Sequence, residues 1–129
     1  MRIQNRIKEG QKVGNDMHFI LEANESHSIG TPAQKMITDS DETAFVYLMD
    51  VDEGYAYIHF PRETWSSMLQ ALDGGADPYL VWKDESIPLK GFIEELTMLL
   101  YNIEGNDNYG EAFTTAVEQE FEAFLQRVN

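Results

Sequence analysis

Between residues 44 and 60, apolar side chains occupy both parities of the chain. Phe45, Tyr47 and Met49 alternate with Val46 and Leu48, and Tyr55 and Tyr57 alternate with Ala56, Ile58 and Phe60. Aromatic and β-branched residues favour strands, and the acidic break Asp50-Val51-Asp52-Glu53-Gly54 between the two runs predicts a β-hairpin. A strand that is apolar on both faces belongs inside a covered sheet, so this hairpin is expected at the centre of the fold. Upstream the pattern is less regular. Ile3 and Ile7 sit among charged residues, Gly10 and Gly14-Asn15-Asp16 read as turns, and residues 17–23 form a short apolar run. Two antiparallel strands are predicted there, then an exposed loop over 24–33 and another short strand over 35–38.

After Phe60 the period changes from two to about 3.6. Pro61 suits a first helical position, and Glu63 suits the positive end of a helix dipole. Trp65, Met68, Leu69 and Leu72 then share one face, and Gly74-Gly75 supplies the stop, which predicts a helix over 61–72. A Trp and Met stripe at this spacing reads as core packing. Tyr79 to Trp82 and Ile87-Pro88-Leu89 flank the polar stretch Lys83-Asp84-Glu85-Ser86 and read as a small hairpin. Pro88 lacks a ladder N–H, which confines its strand to an edge. Two helices close the chain, over 90–103 and 111–127. The first carries Phe92, Ile93, Leu96, Leu99, Leu100 and Ile103, and the second carries Phe113, Ala116, Val117, Phe121, Phe124, Leu125 and Val128. Their short polar link predicts an antiparallel helical hairpin. The fold class expected is α+β, a mostly antiparallel sheet of about five to seven strands with one helix after the central hairpin and a C-terminal helical hairpin.

Composition narrows this picture. A chain of 129 residues fits one domain that needs no disulfide, and cysteine is absent, which removes thiol nucleophiles and Cys-based metal sites. No basic segment leads into an apolar run, and no stretch approaches a bilayer span, so a cytoplasmic location is expected. The net charge of −14, from 23 acids and nine bases, argues against nucleic acid or an anionic membrane as the main partner. The first twelve residues depart from this, with Arg2, Arg6, Lys8 and Lys12 against Glu9. Such residues read as the solvent-facing side of an edge strand or as a docking surface for a partner or a second copy.

Candidate chemistry is sparse. His18 and His27 lack a third ligand, and His59 falls on a core strand, where a hydrogen-bonded histidine is the simpler reading than a general base. Asp39-Ser40-Asp41-Glu42 and Asp50 to Gly54 gather carboxylates that could meet a hard cation, but Asp recurs in turns because it accepts hydrogen bonds from its own backbone. The second loop has its glycine one place too early for a calcium loop and lacks the downstream acid. Gly74-Gly75 follows a helix where a phosphate loop must precede one. Asn102-Ile103-Glu104-Gly105-Asn106-Asp107-Asn108-Tyr109-Gly110 reads as a helix stop and an Asn-rich turn able to cap the next helix.

Asp39-Ser40-Asp41 with Ala44-Phe45-Val46-Tyr47, then Pro61 to Trp65, Glu95-Leu96, Asn102-Ile103-Glu104-Gly105-Asn106 and Asn108-Tyr109-Gly110, together resemble the YjbL-like family of small uncharacterised proteins of Gram-positive bacteria. The resemblance spans about residues 35–121 and implies a bacterial protein with no assigned activity or cofactor. The functional expectation is a non-enzymatic binding or regulatory module that meets another protein or itself. Its contact residues are expected at Asp39, Asp41, Asn106, Asn108 and Tyr109, because polar loops held by a rigid scaffold commonly carry function. No catalytic, cofactor-binding or metal-binding residue is assigned. A metal-dependent hydrolase using loop 39–42 and turn 106–109 is the alternative.

Overall fold

The computed structural model describes residues 3–22 and 29–127. His27, Arg2, Val128 and the 24–28 part of the expected loop lie outside them. The strands are β1 (Ile3–Val13), β2 (Asp16–Leu21), β3 (Thr31–Asp39), β4 (Ala44–Val51), β5 (Gly54–Pro61), β6 (Tyr79–Trp82) and β7 (Glu85–Pro88). The helices are α1 (Trp65–Gly74), α2 (Phe92–Ile103), α3 (Glu111–Glu120) and α4 (Glu122–Arg127). The seven strands form one sheet in the order β3-β4-β5-β1-β2-β6-β7. The class is α+β, as the pattern predicts. Four strand pairs are antiparallel, while β1 pairs with β5, and β2 with β6, in parallel.

The expected hairpin is β4–β5, in register from Ala44 with Pro61 to Val51 with Gly54 around the tight turn Asp52-Glu53. It is flanked on both sides, by β3 and β1, and consecutive residues of β4 from Ala44 to Met49 are buried, so both of its faces are covered. The middle strand of the seven is β1, and this corrects the reading of the basic N-terminal segment as an edge. Ile3 to Arg6 pair with β5, and from Ile7 onward the strand pairs with β2 across a register shift at Ile7/Glu9. Asn5 and Ile7 are buried while Arg6 and Lys8 face solvent. The bases therefore lie on the outer side of a central strand, and no local pattern reveals a parallel partner some fifty residues away.

Gly10 sits within β1, where the sequence reads a turn. The reason is contact with α1: a Cβ at Gly10 would lie 2.6 Å from the Ser67 Cβ and 3.1 Å from the Met17 Sδ. The true edges are β3 and β7. β7 has four residues and ends in Pro88, as expected of an edge strand. On β3 the ladder to β4 is broken between Pro32 and Met36, Gln34 adopts φ +60°, and the Met36 N–H donates to Glu95 Oε1 of α2 at 3.1 Å.

The core lies where the helices cover Phe45, Tyr47, Ile58 and Phe60. The Phe45 ring centroid is 5.1 Å from Trp65 and 5.9 Å from both Phe113 and Phe121, and Phe19 meets Phe60 edge-on at 5.0 Å. Trp65 Nε1 donates to the Phe60 carbonyl at 2.9 Å, so the largest buried side chain has its polar atom satisfied. Element boundaries differ in several places: β3 already begins at Thr31, inside the expected 24–33 loop, and β7 begins at Glu85, inside the expected polar turn. Pro61 ends β5 in an extended conformation, and Arg62–Thr64 form a 3-10 turn before α1. The last helix is divided at Phe121, which departs from helical geometry at φ −108°, ψ 17° and turns its ring inward.

Candidate functional site

The two loops singled out in the sequence meet. Ser40 Oγ donates to the Tyr109 carbonyl at 2.7 Å, fastening the β3–β4 turn to the 3-10 turn Asp107–Tyr109 across 69 residues of sequence. The β3–β4 turn is held internally: Asp39 Oδ1 accepts from the Glu42 N–H at 3.2 Å, and Thr43 takes φ +51°. Asp39 Oδ2 also lies 4.0 Å from His59 Nδ1 on β5, a strand histidine that is 9% exposed. The arrangement suits an electrostatic contact that becomes an ion pair when the imidazole is protonated.

The second turn is organised by Asn106. Its side-chain oxygen accepts from the Asn108 N–H at 3.0 Å, its Nδ2 donates to the Asn102 carbonyl at 3.1 Å, and its own carbonyl accepts from Thr114 Oγ1 at 2.9 Å. The expected cap on the next helix is thus a cap on the 3-10 turn, since α3 begins after Gly110 with no side-chain cap. Tyr109 packs its ring against the core and is half-buried. Of the five expected residues, Asp39, Asn106 and Tyr109 are engaged in holding the loops, and Asp41 and Asn108 are exposed.

Among the described residues, no three His, Cys, Asp or Glu side chains gather to hold a metal ion. The hydrolase alternative therefore finds no ligand set among them. Two open clefts lie elsewhere among the described residues. One of about 430 Å³ is bounded by Arg62, Glu63, Ser66 and Glu120, and one of about 330 Å³ by residues of α3, α4 and the end of α2. Arg62 donates to Glu120 at 3.1 Å and to Gln119 at 3.0 Å, so its charge is used within the fold.

Residues 5–121 match a family described as a family of unknown function, UPF0738. The chain belongs to the UPF0738 family. A UPF0738 protein of Lysinibacillus sphaericus is 47% identical over 84% of this chain and 86% of its own length. One from Anoxybacillus flavithermus is 35% identical over 90% and 84%, and one from Bacillus cereus is 34% identical over 92% and 99%. No solved structure matches. The name UPF0738 stands where the motifs pointed to a YjbL-like family, and the match begins near residue 5, well before the segment that carried that resemblance. Among the described residues, no helix is long and apolar enough to cross a membrane.

Sequence reasoning missed a second polar cluster in this UPF0738 chain, at the start of α2. Asp77 accepts from the Gly91 and Ile93 N–H groups at 3.1 and 3.0 Å, capping the helix from a distant loop. Tyr47 Oη donates to the Lys90 carbonyl at 2.6 Å. Burial, opposed by a backbone hydrogen bond at Gln34 and assisted by the charges of Asp77, Glu95 and Asp50, pushes the Tyr47 phenol from 10 up to about 12. The sequence offers no marker for these partners, because each is separated by at least a dozen residues from the group it serves.

Proposed function

We propose that this UPF0738 chain is a non-enzymatic binding or regulatory module that contacts another protein, or a second copy of itself, through the surface formed by residues 39–42 and 106–109. The observation that carries the reading is the Ser40 to Tyr109 hydrogen bond, which makes one surface of two loops with Asp41 and Asn108 exposed on it. The loops are stiffened from within by the Asp39 and Asn106 side chains, so little ordering entropy would be lost on contact.

Two variants of the full-length chain separate scaffold from contact. Tyr109→Ala removes a ring packed on the core and is expected to lower stability by about 1 to 3 kcal/mol in urea denaturation. Asp41→Arg combined with Asn108→Arg is expected to keep the wild-type midpoint while changing what co-purifies from a native lysate, or shifting the sedimentation coefficient if the partner is a second copy. Unchanged partners and unchanged sedimentation in the double variant would remove the loops from consideration.

A further inference from the structure

The last third of the chain carries a charge pattern that the loop reading does not use. From Gly91 to Gln126 there are eight carboxylates and no lysine or arginine. Within this acidic region α2 exposes apolar side chains. Met98 and Tyr101 are each 47% exposed, and with Glu94 they fall on one face of the helix, at i, i+4 and i+7. The Tyr101 ring lies 6.2 Å from that of Phe124 on α4, a buried residue, so Tyr101 stands at the seam between the two helices. The end of α2 and α4 also bound a groove lined by Glu104, Glu118, Glu122, Leu125 and Gln126, about 330 Å³ in volume. Glu118 is held there by accepting from the Gly105 N–H at 2.8 Å, at the carbonyl end of α2.

We propose that this α2–α4 surface is a docking site for a basic amphipathic segment of a partner protein. Single exposed apolar residues need no explanation, but here two lie one turn apart, share a face with Glu94 and stand at the seam with α4, whose groove with the end of α2 is lined by Glu104, Glu118 and Glu122. The chemistry selects the partner. Methionine adapts to varied apolar shapes, tyrosine offers area at low entropic cost, and a glutamate border favours lysine or arginine while rejecting acidic segments. A helix with apolar residues at i, i+3 and i+4 and bases on either side matches both features, in the groove mode of peptide recognition. The carbonyl end of α2, beside Glu104 and Glu118, adds negative potential to the same end of the groove. This inference stands apart from the loop reading and uses none of its residues.

The test uses the full-length chain and a synthetic peptide of about 18 residues, five helical turns, with leucine and tryptophan on one face and lysine on the other. A scrambled peptide of identical composition controls for simple attraction to an acidic protein. The ordered peptide is expected to bind at least about tenfold more tightly than the scrambled one, with amide shifts concentrated in residues 94–104 and 118–126. Met98→Ser with Tyr101→Ala is expected to weaken it by about tenfold or more at an unchanged unfolding midpoint, while Val13→Ser, an exposed apolar residue elsewhere, leaves binding intact. Equal affinity for both peptides, shifts lying elsewhere, or full affinity in the double variant would overturn the proposal. Binding that survives in Asp41→Arg with Asn108→Arg keeps this result separate from the fate of the loop surface.

Discussion

Tyr47 illustrates how much one residue depends on its surroundings. Its aromatic ring follows from the strand pattern, but its hydroxyl is positioned by Lys90 and its ionisation by burial beside Asp77, Glu95 and Asp50. The folded-state pKa is raised from 10 to about 12, so between these values the unfolded chain has released its proton while the folded one retains it. Stability therefore falls as pH rises through that window, by about 2 to 3 kcal/mol from this group, and is unaffected by it below pH 10. Denaturant midpoints measured from pH 9 to 12 should decline more steeply in the wild type than in Tyr47→Phe. Parallel curves would mean that the phenol ionises normally. At neutral pH the same substitution should cost about 1 kcal/mol, since the Lys90 carbonyl loses its donor.

Helices α1 and α2 show what local pattern leaves open at the level of an element. The apolar stripe of α2 is plain from Phe92 to Ile103, yet its start is fixed by Asp77, a residue that reads locally as part of an Asp-Pro turn before β6. Asp77→Ala should cost about 1 to 2 kcal/mol, the usual loss of a helix cap, and hydrogen exchange should speed up first at the opening turn of α2. Protection unchanged there would show that the cap is dispensable. At α1, close approach to β1 requires a residue without a side chain at position 10. Gly10→Ala should destabilise by about 1 to 3 kcal/mol through the contact with Ser67, and Ser67→Gly in the same chain should recover part of that loss. Additive effects would place the strain elsewhere.

For the molecule as a whole, the core depends on helices that reach back to strands far away in sequence. Phe121, buried where α3 gives way to α4, touches Phe45 of β4 and Trp65 of α1 at ring distances of 5.9 and 5.8 Å. Truncation to Ala leaves a cavity bordered by both and should cost about 3 to 5 kcal/mol in chemical denaturation. A loss under about 1 kcal/mol would mean that the C-terminal helices are peripheral to stability.

Binary pattern determined the element types. The hairpin of β4 and β5, the stop at Gly75, the edge position of β7 and the apolar faces of α2 and α3 all follow from short-range spacing and from what proline and glycine permit. Sheet order did not follow, because strand pairing is chosen by mutual burial across the whole chain and a parallel partner leaves no turn to mark it. Hence the first strand, basic and apparently marginal, lies in the middle, next to β5. The site divides in the same way. Residues 39–42 and 106–109 stood out as polar turns, and only the fold could bring them together through Ser40 and Tyr109. The run of eight carboxylates without a lysine or arginine over residues 91–126 is a fact of sequence, but whether Met98 and Tyr101 are covered depends on how α2 is rotated against the sheet. A helix turns toward the core the face that buries most apolar surface, and on α2 that face is Phe92, Leu96, Leu99, Leu100 and Ile103, which leaves Met98 and Tyr101 in water.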